Sequence, residues 1–350
     1  MNNVKKITVN ASKSYDVLVG ENLIKDIGKI FNEKFDKCKV AIITDDIVDR
    51  LYLDKVFSAL TEQGYCVSKF VFANGEKSKN FQTYINIVNF LAQQELSRTD
   101  LVVALGGGVV GDIAGFSAST YLRGVKYVQI PTTLLSQIDS SVGGKTAIDL
   151  DCGKNLVGAF CQPQLVVCDV ALLASLDKKV LEDGFGEGAK YALLDQKVYN
   201  LVKNKDFSML DFVYLCIDYK RAIVESDEFE SGDRKLLNLG HTIAHAIEKL
   251  SSYTISHGNA VAIGLDFVLA SAVKNNRITE CEYNQIKMVL NNITKSVDIK
   301  LCPFSKEQLA KTAVFDKKRS GDEISVVNFY GVNNCKIEKI KLNNLLGQFL

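Results

Sequence analysis

Leu101-Val-Val-Ala-Leu105, followed directly by Gly106-Gly-Gly-Val-Val-Gly-Asp112, is the stretch that decides the fold of the N-terminal half. The apolar run predicts a buried strand, and the glycines predict a tight turn into a helix. Their spacing satisfies G-x-G-x-x-G, in which glycines let the backbone approach a pyrophosphate at a helix N-terminus. Glycines also serve tight turns and close packing, so the motif alone is a weak indication of nucleotide binding.

The acidic residue that usually contacts the ribose in such motifs is missing from its expected place, about 20 residues further on. That region reads Tyr127-Val-Gln-Ile-Pro131. Asp45 and Asp46, which follow an apolar run, are the alternatives. Downstream, the segment 141–146 (Ser-Val-Gly-Gly-Lys-Thr) resembles the end of a P-loop, but Asp139 stands where the first glycine is required. A Walker ATPase is therefore not expected, although Lys145 suits an anion.

Short runs rich in Val and Ile alternate with helical patterns through the first half of the chain. This alternation predicts an α/β domain with a mostly parallel sheet and helices on both faces. The helical patterns cover Asp46–Gln63 and Asn80–Glu95. The predicted strands are Ile7–Val9, Tyr15–Val19, Lys39–Thr44, Cys66–Val71, Leu101–Leu105, Lys126–Ile130 and Leu165–Asp169.

The second half of the chain is predicted to be mainly α-helical, with a strand returning only near Ile324–Phe329. We place the domain division between about 170 and 180, giving domains 1–175 and 176–350, since 350 residues suggest two domains. The predicted helices are Phe185–Lys203, Met209–Glu228, His241–Leu250, Ala260–Asn275 and Glu280–Asn292.

Composition excludes several classes of function. The net charge is only +1, so no global field attracts nucleic acid or an anionic membrane. Apolar runs fall short of the roughly 18 residues that a membrane span needs, and the N-terminal segment lacks the apolar core of a signal peptide. The nine cysteines are scattered and form no C-x-x-C pair. We therefore expect a cytoplasmic protein that binds neither nucleic acid nor membrane.

All three histidines of the chain lie in one short window, at His241, His245 and His257. The first two are four residues apart, so they share one helix face with Glu248. Glu187 stands between glycines at a predicted helix start. A catalytic zinc typically takes three protein ligands, so three histidines and Glu187 offer one group more than needed, and the extra one would carry protons. The alternative is three histidines satisfied by solvent or core.

Several cations lie in segments rich in glycine, asparagine or histidine. Most charge runs are solvated surface, but cations inside such segments are candidates for binding a small polyanionic substrate. These candidates are Lys145, Lys154, Lys190, Lys220, Arg234 and the run Lys317-Lys318-Arg319.

Taken together, these motifs resemble the 3-dehydroquinate synthase family, with nearly regular spacing from about residue 40 to 330. No single motif is specific, but the combination is. The motifs are Gly106-Gly-Gly-Val-Val-Gly-Asp112, Pro131-Thr-Thr-Leu-Leu135, Asp139, Gly143-Gly-Lys-Thr146, Gly153-Lys-Asn155, Glu187 with Lys190, Arg234 through Asn238-Leu-Gly-His241, His245 and His257-Gly258.

The resemblance implies a Rossmann-like N-terminal domain, a helical C-terminal domain, bound NAD, one divalent metal (zinc or cobalt) and a homodimer. It implies Glu187, His241 and His257 as metal ligands, which leaves His245 for the substrate phosphate. Arg123 is similar to an arginine that reaches the neighbouring subunit's phosphate, and Glu230 to a proton acceptor. The implied NAD contacts are Asp45, Glu76, Lys79, Gly107, Gly108, Val109, Asp112, Thr132, Thr133, Lys154 and Ser175. The implied substrate contacts are Arg123, Asp139, Lys145, Asn155, Lys190, Lys220, Arg234, Asn238, His245 and Lys317, of which Lys145, Lys190, Arg234 and His245 join Glu230 as catalytic groups.

The implied reaction converts 3-deoxy-D-arabino-heptulosonate 7-phosphate into 3-dehydroquinate and phosphate, a lyase reaction of the shikimate pathway to chorismate and the aromatic amino acids. The alternatives are a sister cyclase such as 2-deoxy-scyllo-inosose or valiolone synthase, a glycerol or iron-containing alcohol dehydrogenase, or a binding protein without activity. Departures from the family pattern are Gly188-Ala189, Asn259, Asp46 and the segment 174–177 (Ala-Ser-Leu-Asp). Glycine within a helix costs about 1 kcal/mol, so Gly188 predicts a looser helix around Glu187.

Overall fold

The computed structural model describes residues 4–313, 319–320, 323–341, 344 and 347. The chain divides into two compact units, Met1–Leu176 and Asp177–Leu350. Within the described ranges, no helix combines the length and apolarity that crossing a bilayer requires.

The first unit is built on a seven-stranded sheet with the order β1-β2-β9-β6-β5-β3-β4. β1 pairs antiparallel with β2, and every other neighbouring pair in this sheet is parallel. β7 and β8 form a separate antiparallel hairpin. All seven predicted strands fall inside the observed ones, whereas the hairpin was not predicted. The strands are β1 Lys5–Asn10, β2 Ser14–Gly20, β3 Lys39–Asp45, β4 Cys66–Phe72, β5 Leu101–Gly106, β6 Lys126–Pro131, β7 Lys145–Leu150, β8 Gly153–Phe160 and β9 Leu165–Asp169.

Helices cover both faces of this sheet, which explains why its central strands are mostly buried and largely apolar. In β3, Val40 and Ile42 belong to one hydrophobic core, whereas Ala41 and Ile43 belong to the other. The predicted helix Asp46–Gln63 is interrupted by a π-helical turn at Asp49–Leu53. The helices of this unit are α1 Ile27–Lys34, α2 Asp46–Val48, α3 Asp54–Glu62, α4 Phe81–Gln93 and α5 Gly108–Thr120.

The strand order places a topological switch between β3 and β5. From β3 the chain moves to β4 on one side, and it then returns to β5 on the other side. In open α/β sheets, ligands bind at the carboxyl ends of the strands beside such a switch. The glycine-rich turn follows β5, and Asp45 ends β3, so both lie at the expected end of the sheet.

The second unit is mainly helical, as predicted. The predicted helix Phe185–Lys203 is in fact two helices, because Asp195 ends the first and caps the second by accepting hydrogen bonds from the amides of Lys197 and Val198. α6 runs unbroken through Gly188 and Ala189, so the glycine does not end the helix. The helices are α6 Lys178–Leu194, α7 Gln196–Val202, α8 Met209–Ser226, α9 His241–Leu250, α10 His257–Lys274, α11 Glu280–Leu290 and α12 Lys306–Ala313.

A small antiparallel sheet completes the second unit, in the order β10-β11-β12. The predicted strand Ile324–Phe329 lies inside β11. The sequence prediction missed β12, in which four lysine and glutamate residues interrupt the apolar pattern. The strands are β10 Arg319–Ser320, β11 Glu323–Phe329 and β12 Cys335–Lys341.

Candidate functional site

The carboxyl ends of β3, β5 and β6 bring three predicted NAD-binding segments side by side. The hydroxyl of Thr44 donates to the carbonyl of Leu105 at 2.7 Å, which joins the ends of β3 and β5. The amide of Thr132 donates to the carbonyl of Gly106 at 3.0 Å, which joins the ends of β5 and β6. Asp45, the glycine turn and Thr132 are therefore neighbours at the carboxyl ends of these strands.

Close packing accounts for part of the glycine motif. A Cβ at Gly111 would lie 2.8 Å from Oε1 of Gln129 on β6, so this glycine lets α5 approach the sheet. A Cβ at Gly107 would lie 3.1 Å from the methyl group of Thr133, and one at Gly108 would lie 3.2 Å from the hydroxyl of Ser140. Gly107 and Gly108 keep the N-terminus of α5 free of side chains, as a phosphate-binding turn requires.

A buried ion pair lies next to the glycine turn. Nζ of Lys79 is 2.5 Å from Oδ2 of Asp112 and also donates to the side-chain carbonyl of Asn155. Burial alone would lower the pKa of Lys79, but the carboxylate of Asp112 outweighs it and raises this pKa. Lys154 forms a second ion pair with Glu76 at 3.5 Å. Asn155, predicted as a substrate contact, therefore lies with the predicted NAD contacts.

Asp45 and Ser175 make local contacts within the first unit. The carboxylate of Asp45 accepts hydrogen bonds from the amides of Ile47 (3.0 Å) and Val48 (2.9 Å), so it caps α2. Burial raises the pKa of this carboxyl group. The hydroxyl of Ser175 donates to the carbonyl of Leu172 at 2.9 Å.

The remaining predicted contacts of the first unit lie on turns or at strand ends. Asp139 is half-buried in the turn Ser136–Ser140, and Lys145 begins β7 with an exposed side chain. A P-loop lysine precedes a helix, so this strand agrees with the exclusion of a Walker motif. Arg123 is exposed, with a φ of 64° that follows a φ of 51° at Leu122.

In the second unit, Glu187, His241 and His257 each place a ligand atom within 4.8 Å of the others. Oε2 of Glu187 is 3.8 Å from Nε2 of His241 and 3.6 Å from Nε2 of His257. Two ligands about 2.0–2.2 Å from one tetrahedral zinc ion lie roughly 3.3–3.6 Å apart. The two distances measured from Glu187 therefore lie at or just above the spacing expected around such an ion.

The surroundings of the three side chains also suit a metal. Oε2 of Glu187 is buried and has no hydrogen-bond partner among the residues that the structure describes, while Oε1 contacts Nζ of the buried Lys190. A metal ion would satisfy that buried oxygen. Nδ1 of His241 lies 3.1 Å from the carbonyl of Leu239, so donation from Nδ1 leaves the Nε2 lone pair directed at the cluster.

His257 is held between two carboxylates. Its Nδ1 lies 3.3 Å from Oε2 of Glu248, while its Nε2 faces Glu187. Burial alone would lower the pKa of His257, but Glu248 and Glu187 outweigh it and raise the pKa to about 9. The position that a cation would occupy therefore attracts positive charge even without a metal.

Glycines bring the helices that carry the three ligands into backbone contact. A Cβ at Gly186 would lie 2.2 Å from the carbonyl oxygen of Gly258, and one at Gly264 would lie 2.3 Å from that of Gly240. α10 therefore packs directly against α6 and against the start of α9. Asp183 adds a polar link, since its carboxylate accepts the amide of Gly258 at 2.6 Å and so caps α10.

The predicted substrate contacts of the second unit centre on the segment between α8 and α9. Arg234 is buried, and its guanidinium donates to the carbonyl of Glu228. The side-chain amide of Asn238 donates to the carboxylate of Glu230 at 2.5 Å, and Glu230 has a φ of 61°. Lys220 is also buried, on α8. The structure thus joins Asn238 directly to the predicted proton acceptor.

Asp227 organises this segment. Its carboxylate accepts hydrogen bonds from the amides of Ser231 (2.9 Å), Gly232 (2.7 Å) and Arg234 (3.1 Å). Burial alone would raise the pKa of Asp227, but these backbone donors lower it to about 2. The loop is therefore held by a carboxylate that is ionised near neutral pH.

His245 stands beside the three-residue cluster, its ring 5.6 Å from that of His241. It is not part of the group that lies within 4.8 Å. Lys317, predicted to contact substrate, lies outside the described residues.

Sequence reasoning assigned no role to three supporting carboxylates. Glu248 shares a helix face with His241 and His245, a spacing that was noted without a role. Asp183 lies one helical turn before Glu187, and Asp227 begins the loop before Arg234. Nothing in the local sequence indicates the roles of Asp183 and Asp227, because their partners are backbone amides that only the folded chain brings close.

Two family models cover most of the chain: the 3-dehydroquinate synthase N-terminal model matches residues 69–183, and the C-terminal model matches residues 184–319. A 3-dehydroquinate synthase from Clostridium kluyveri is 38% identical over 353 residues, which cover 98% of each chain. One from Streptococcus thermophilus is 39% identical and covers 96% of this chain and 97% of its own. The chain belongs to the 3-dehydroquinate synthase family. It is therefore an enzyme, and the resemblance found in the sequence is confirmed.

Solved structures confirm the fold class expected of a 3-dehydroquinate synthase. A 2-deoxy-scyllo-inosose synthase complexed with carbaglucose-6-phosphate, NAD+ and Co2+ has a TM-score of 0.84, with 24% identity and 99% of both chains covered. A 2-epi-5-epi-valiolone synthase from Streptomyces hygroscopicus with NAD+ and Zn2+ bound has a TM-score of 0.86, with 23% identity and 98% of both chains covered. A glycerol dehydrogenase from Schizosaccharomyces pombe has a lower TM-score of 0.65, at 13% identity, covering 99% of this chain and 90% of its own.

Proposed function

We propose that this enzyme converts 3-deoxy-D-arabino-heptulosonate 7-phosphate into 3-dehydroquinate and phosphate. The reaction proceeds by transient oxidation at C5, elimination of phosphate, re-reduction and intramolecular aldol closure, so it is a lyase reaction without net redox change. The observation that carries the proposal is the similarity, along almost the whole chain, to relatives named for this activity.

We propose that the first unit, residues 1–176, binds NAD and the second unit binds one divalent metal, zinc or cobalt. When bound, NAD accepts and returns a hydride at C5 while the metal polarises the hydroxyl group there. The network of Lys79, Asp112 and Asn155 beside the glycine turn supports the NAD site. The remaining proposed NAD contacts are Asp45, Glu76, Gly107, Gly108, Val109, Thr132, Thr133, Lys154 and Ser175.

Glu187, His241 and His257 are the proposed metal ligands. The buried oxygen of Glu187 supports this choice, since a carboxylate oxygen without a hydrogen-bond donor is costly unless a cation occupies the position it faces. The ammonium group of Lys190 contacts the other oxygen of that carboxylate, so only one oxygen of Glu187 lacks a partner among the described residues.

The proposed substrate groups match the charges of a sugar acid phosphate. Buried cations are strong partners for phosphate and carboxylate because water screens them little. His245 is the proposed contact of the phosphate, Glu230 is the proposed proton acceptor, and Lys145 is a further proposed substrate contact. The remaining proposed contacts are Arg123, Asp139, Asn155, Lys190, Lys220, Arg234, Asn238 and Lys317.

Product analysis tests the proposed reaction. The purified protein is incubated with the heptulosonate phosphate, NAD and Zn²⁺ or Co²⁺, and phosphate, dehydroquinate and NADH are followed together. We expect equal amounts of phosphate and dehydroquinate with no accumulation of NADH. Turnover of glucose 6-phosphate would instead identify a 2-deoxy-scyllo-inosose synthase, steady NADH formation an alcohol dehydrogenase, and no turnover a binding protein.

We further propose that the enzyme is a cytoplasmic homodimer in which Arg123 reaches the phosphate bound by the neighbouring subunit. The exposed position of Arg123 on a left-handed turn supports this role. All nine cysteines lie within the described residues and all are free thiols, which is typical of a reducing compartment. Mass photometry of the wild type measures the oligomeric state, and a monomer with full activity would contradict the dimer.

A further inference from the structure

The two proposed histidine ligands have different partners at Nδ1, and that of His257 is charged. His241 faces the neutral backbone carbonyl of Leu239, whereas Nδ1 of His257 faces the carboxylate of Glu248 at 3.3 Å. We propose that Glu248 is a positioning residue, which fixes the tautomer and the ring orientation of His257 for metal binding. This inference rests on the proposed metal site.

The hydrogen-bonding capacity of imidazole makes the argument specific. A neutral imidazole carries one N–H, and its other nitrogen has the lone pair that binds a metal. Donation from Nδ1 of His257 to Glu248 leaves the lone pair on Nε2, the nitrogen that lies 3.6 Å from Oε2 of Glu187. Without an acceptor at Nδ1, the ring would lose both its preferred tautomer and one restraint on its rotation.

The placement of Glu248 suits a rigid support. Its side chain is only 7% exposed, and it lies on α9, the helix that begins with His241. Seven residues, or about two turns, separate the two side chains on one helix face. One helix therefore supplies one ligand directly and orients a second ligand through its ring nitrogen.

Zinc affinity measures this role apart from turnover. The Kd for Zn²⁺ is obtained by competition with a chromophoric chelator for wild type, Glu248→Gln and Glu248→Ala. Outer-shell partners of metal-binding histidines typically contribute 10–100-fold in affinity, so we expect Glu248→Ala to raise the Kd by about that factor. Glu248→Gln keeps an acceptor without the charge, and its Kd should lie between the two.

Glu282→Ala is the control for a loss of stability alone. The carboxylate of Glu282 completes the capping box of α11 by accepting from the amide and hydroxyl of Thr279, and it is exposed. This variant should lower the melting temperature and leave the Kd for Zn²⁺ unchanged. The visible spectrum of bound Co²⁺ is a second readout, which Glu248→Ala should alter and Glu282→Ala should not.

Two results would overturn the role of Glu248. The first is a wild-type Kd and Co²⁺ spectrum in Glu248→Ala, and the second, should that variant not fold, is a wild-type Kd in Glu248→Gln. His241→Ala separates this failure from failure of the metal site itself. Loss of zinc in His241→Ala together with normal binding in both Glu248 variants refutes only the positioning role, whereas normal zinc binding in His241→Ala refutes the site.

Discussion

Gly186 is the residue at which the packing of the proposed metal site can be tested most sharply. Its Cα lies beside the backbone of Gly258, and a Cβ there would be 2.2 Å from the carbonyl oxygen of Gly258. Ordinary contact begins at 3.4 Å, so Gly186→Ala requires the two backbones to separate by about 1.2 Å, the difference between these distances. Neither atom belongs to a flexible side chain, so α6 and α10 must move as helices.

Stability and metal affinity should respond to this separation very differently. Alanine gains about 1 kcal/mol of helix propensity over glycine, while overpacking costs about 1–3 kcal/mol, so the net loss is only about 0–2 kcal/mol. Metal–ligand distances, in contrast, tolerate only about 0.2 Å. A shift of this size between Glu187 and His257 should raise the Kd for Zn²⁺ by roughly 100-fold, the upper end for changes outside the ligand set.

The assay combines chelator competition for Zn²⁺ with thermal unfolding of the metal-free protein. Ala262→Gly is the matched control. It removes a Cβ from α10, the helix that contacts Gly186, one turn beyond Gly258, and it costs about 1 kcal/mol of stability without a clash. We expect this control to melt earlier and to bind Zn²⁺ as the wild type does. Wild-type zinc affinity in Gly186→Ala would refute the reasoning that direct helix contact sets the ligand geometry.

The remaining predictions concern each unit separately. His241→Ala should lose both zinc and turnover but keep its affinity for NAD. His245→Ala should keep zinc and bind phosphate more weakly. If metal analysis finds no zinc in His245→Ala, the histidine assignment is wrong. Lys79→Met should weaken NAD binding roughly tenfold or more by leaving Asp112 without its cation, as measured by fluorescence titration with NADH, and an unchanged Kd would argue against this contact. Because backbone donors lower the pKa of Asp227 to about 2, its ionised form contributes stability above about pH 4 that is lost as the pH falls through about 2. The stability difference between wild type and Asp227→Asn in urea should therefore shrink over that range, and a difference that stays constant would contradict the proposed hydrogen bonds.

The parallel strands were predictable because both faces of the sheet are buried. A strand such as Lys39–Asp45 then has a short apolar centre rich in isoleucine and valine, and its length and β-branched residues favour a strand over a helix. The hairpin of β7 and β8 gave no such signal, since several of its apolar side chains, including Leu156 and Phe160, are exposed. The break between α6 and α7 was missed because a single aspartate, Asp195, ends one helix and caps the next.

The candidate site was predictable only in part from local sequence. The clustering of the histidines indicated a metal, but spacing left the ligand set open, and the choice of Glu187 depended on the resemblance to the family. The roles suggested for Glu248 and Asp183 arise from packing between helices, which brings a carboxylate on one helix to a ring or an amide at the start of another. No periodicity within a single helix encodes such a pairing.

Isotope labelling tests the central claim, that the enzyme oxidises and re-reduces one carbon while it eliminates phosphate. Substrate carrying deuterium at C5 is converted with NAD and Zn²⁺ present, and the product is analysed by NMR and mass spectrometry. Because the same cofactor molecule takes and returns the hydride, we expect the dehydroquinate to retain the deuterium at that carbon. Loss of the label to water, or its accumulation in free reduced cofactor, would contradict the proposed reaction.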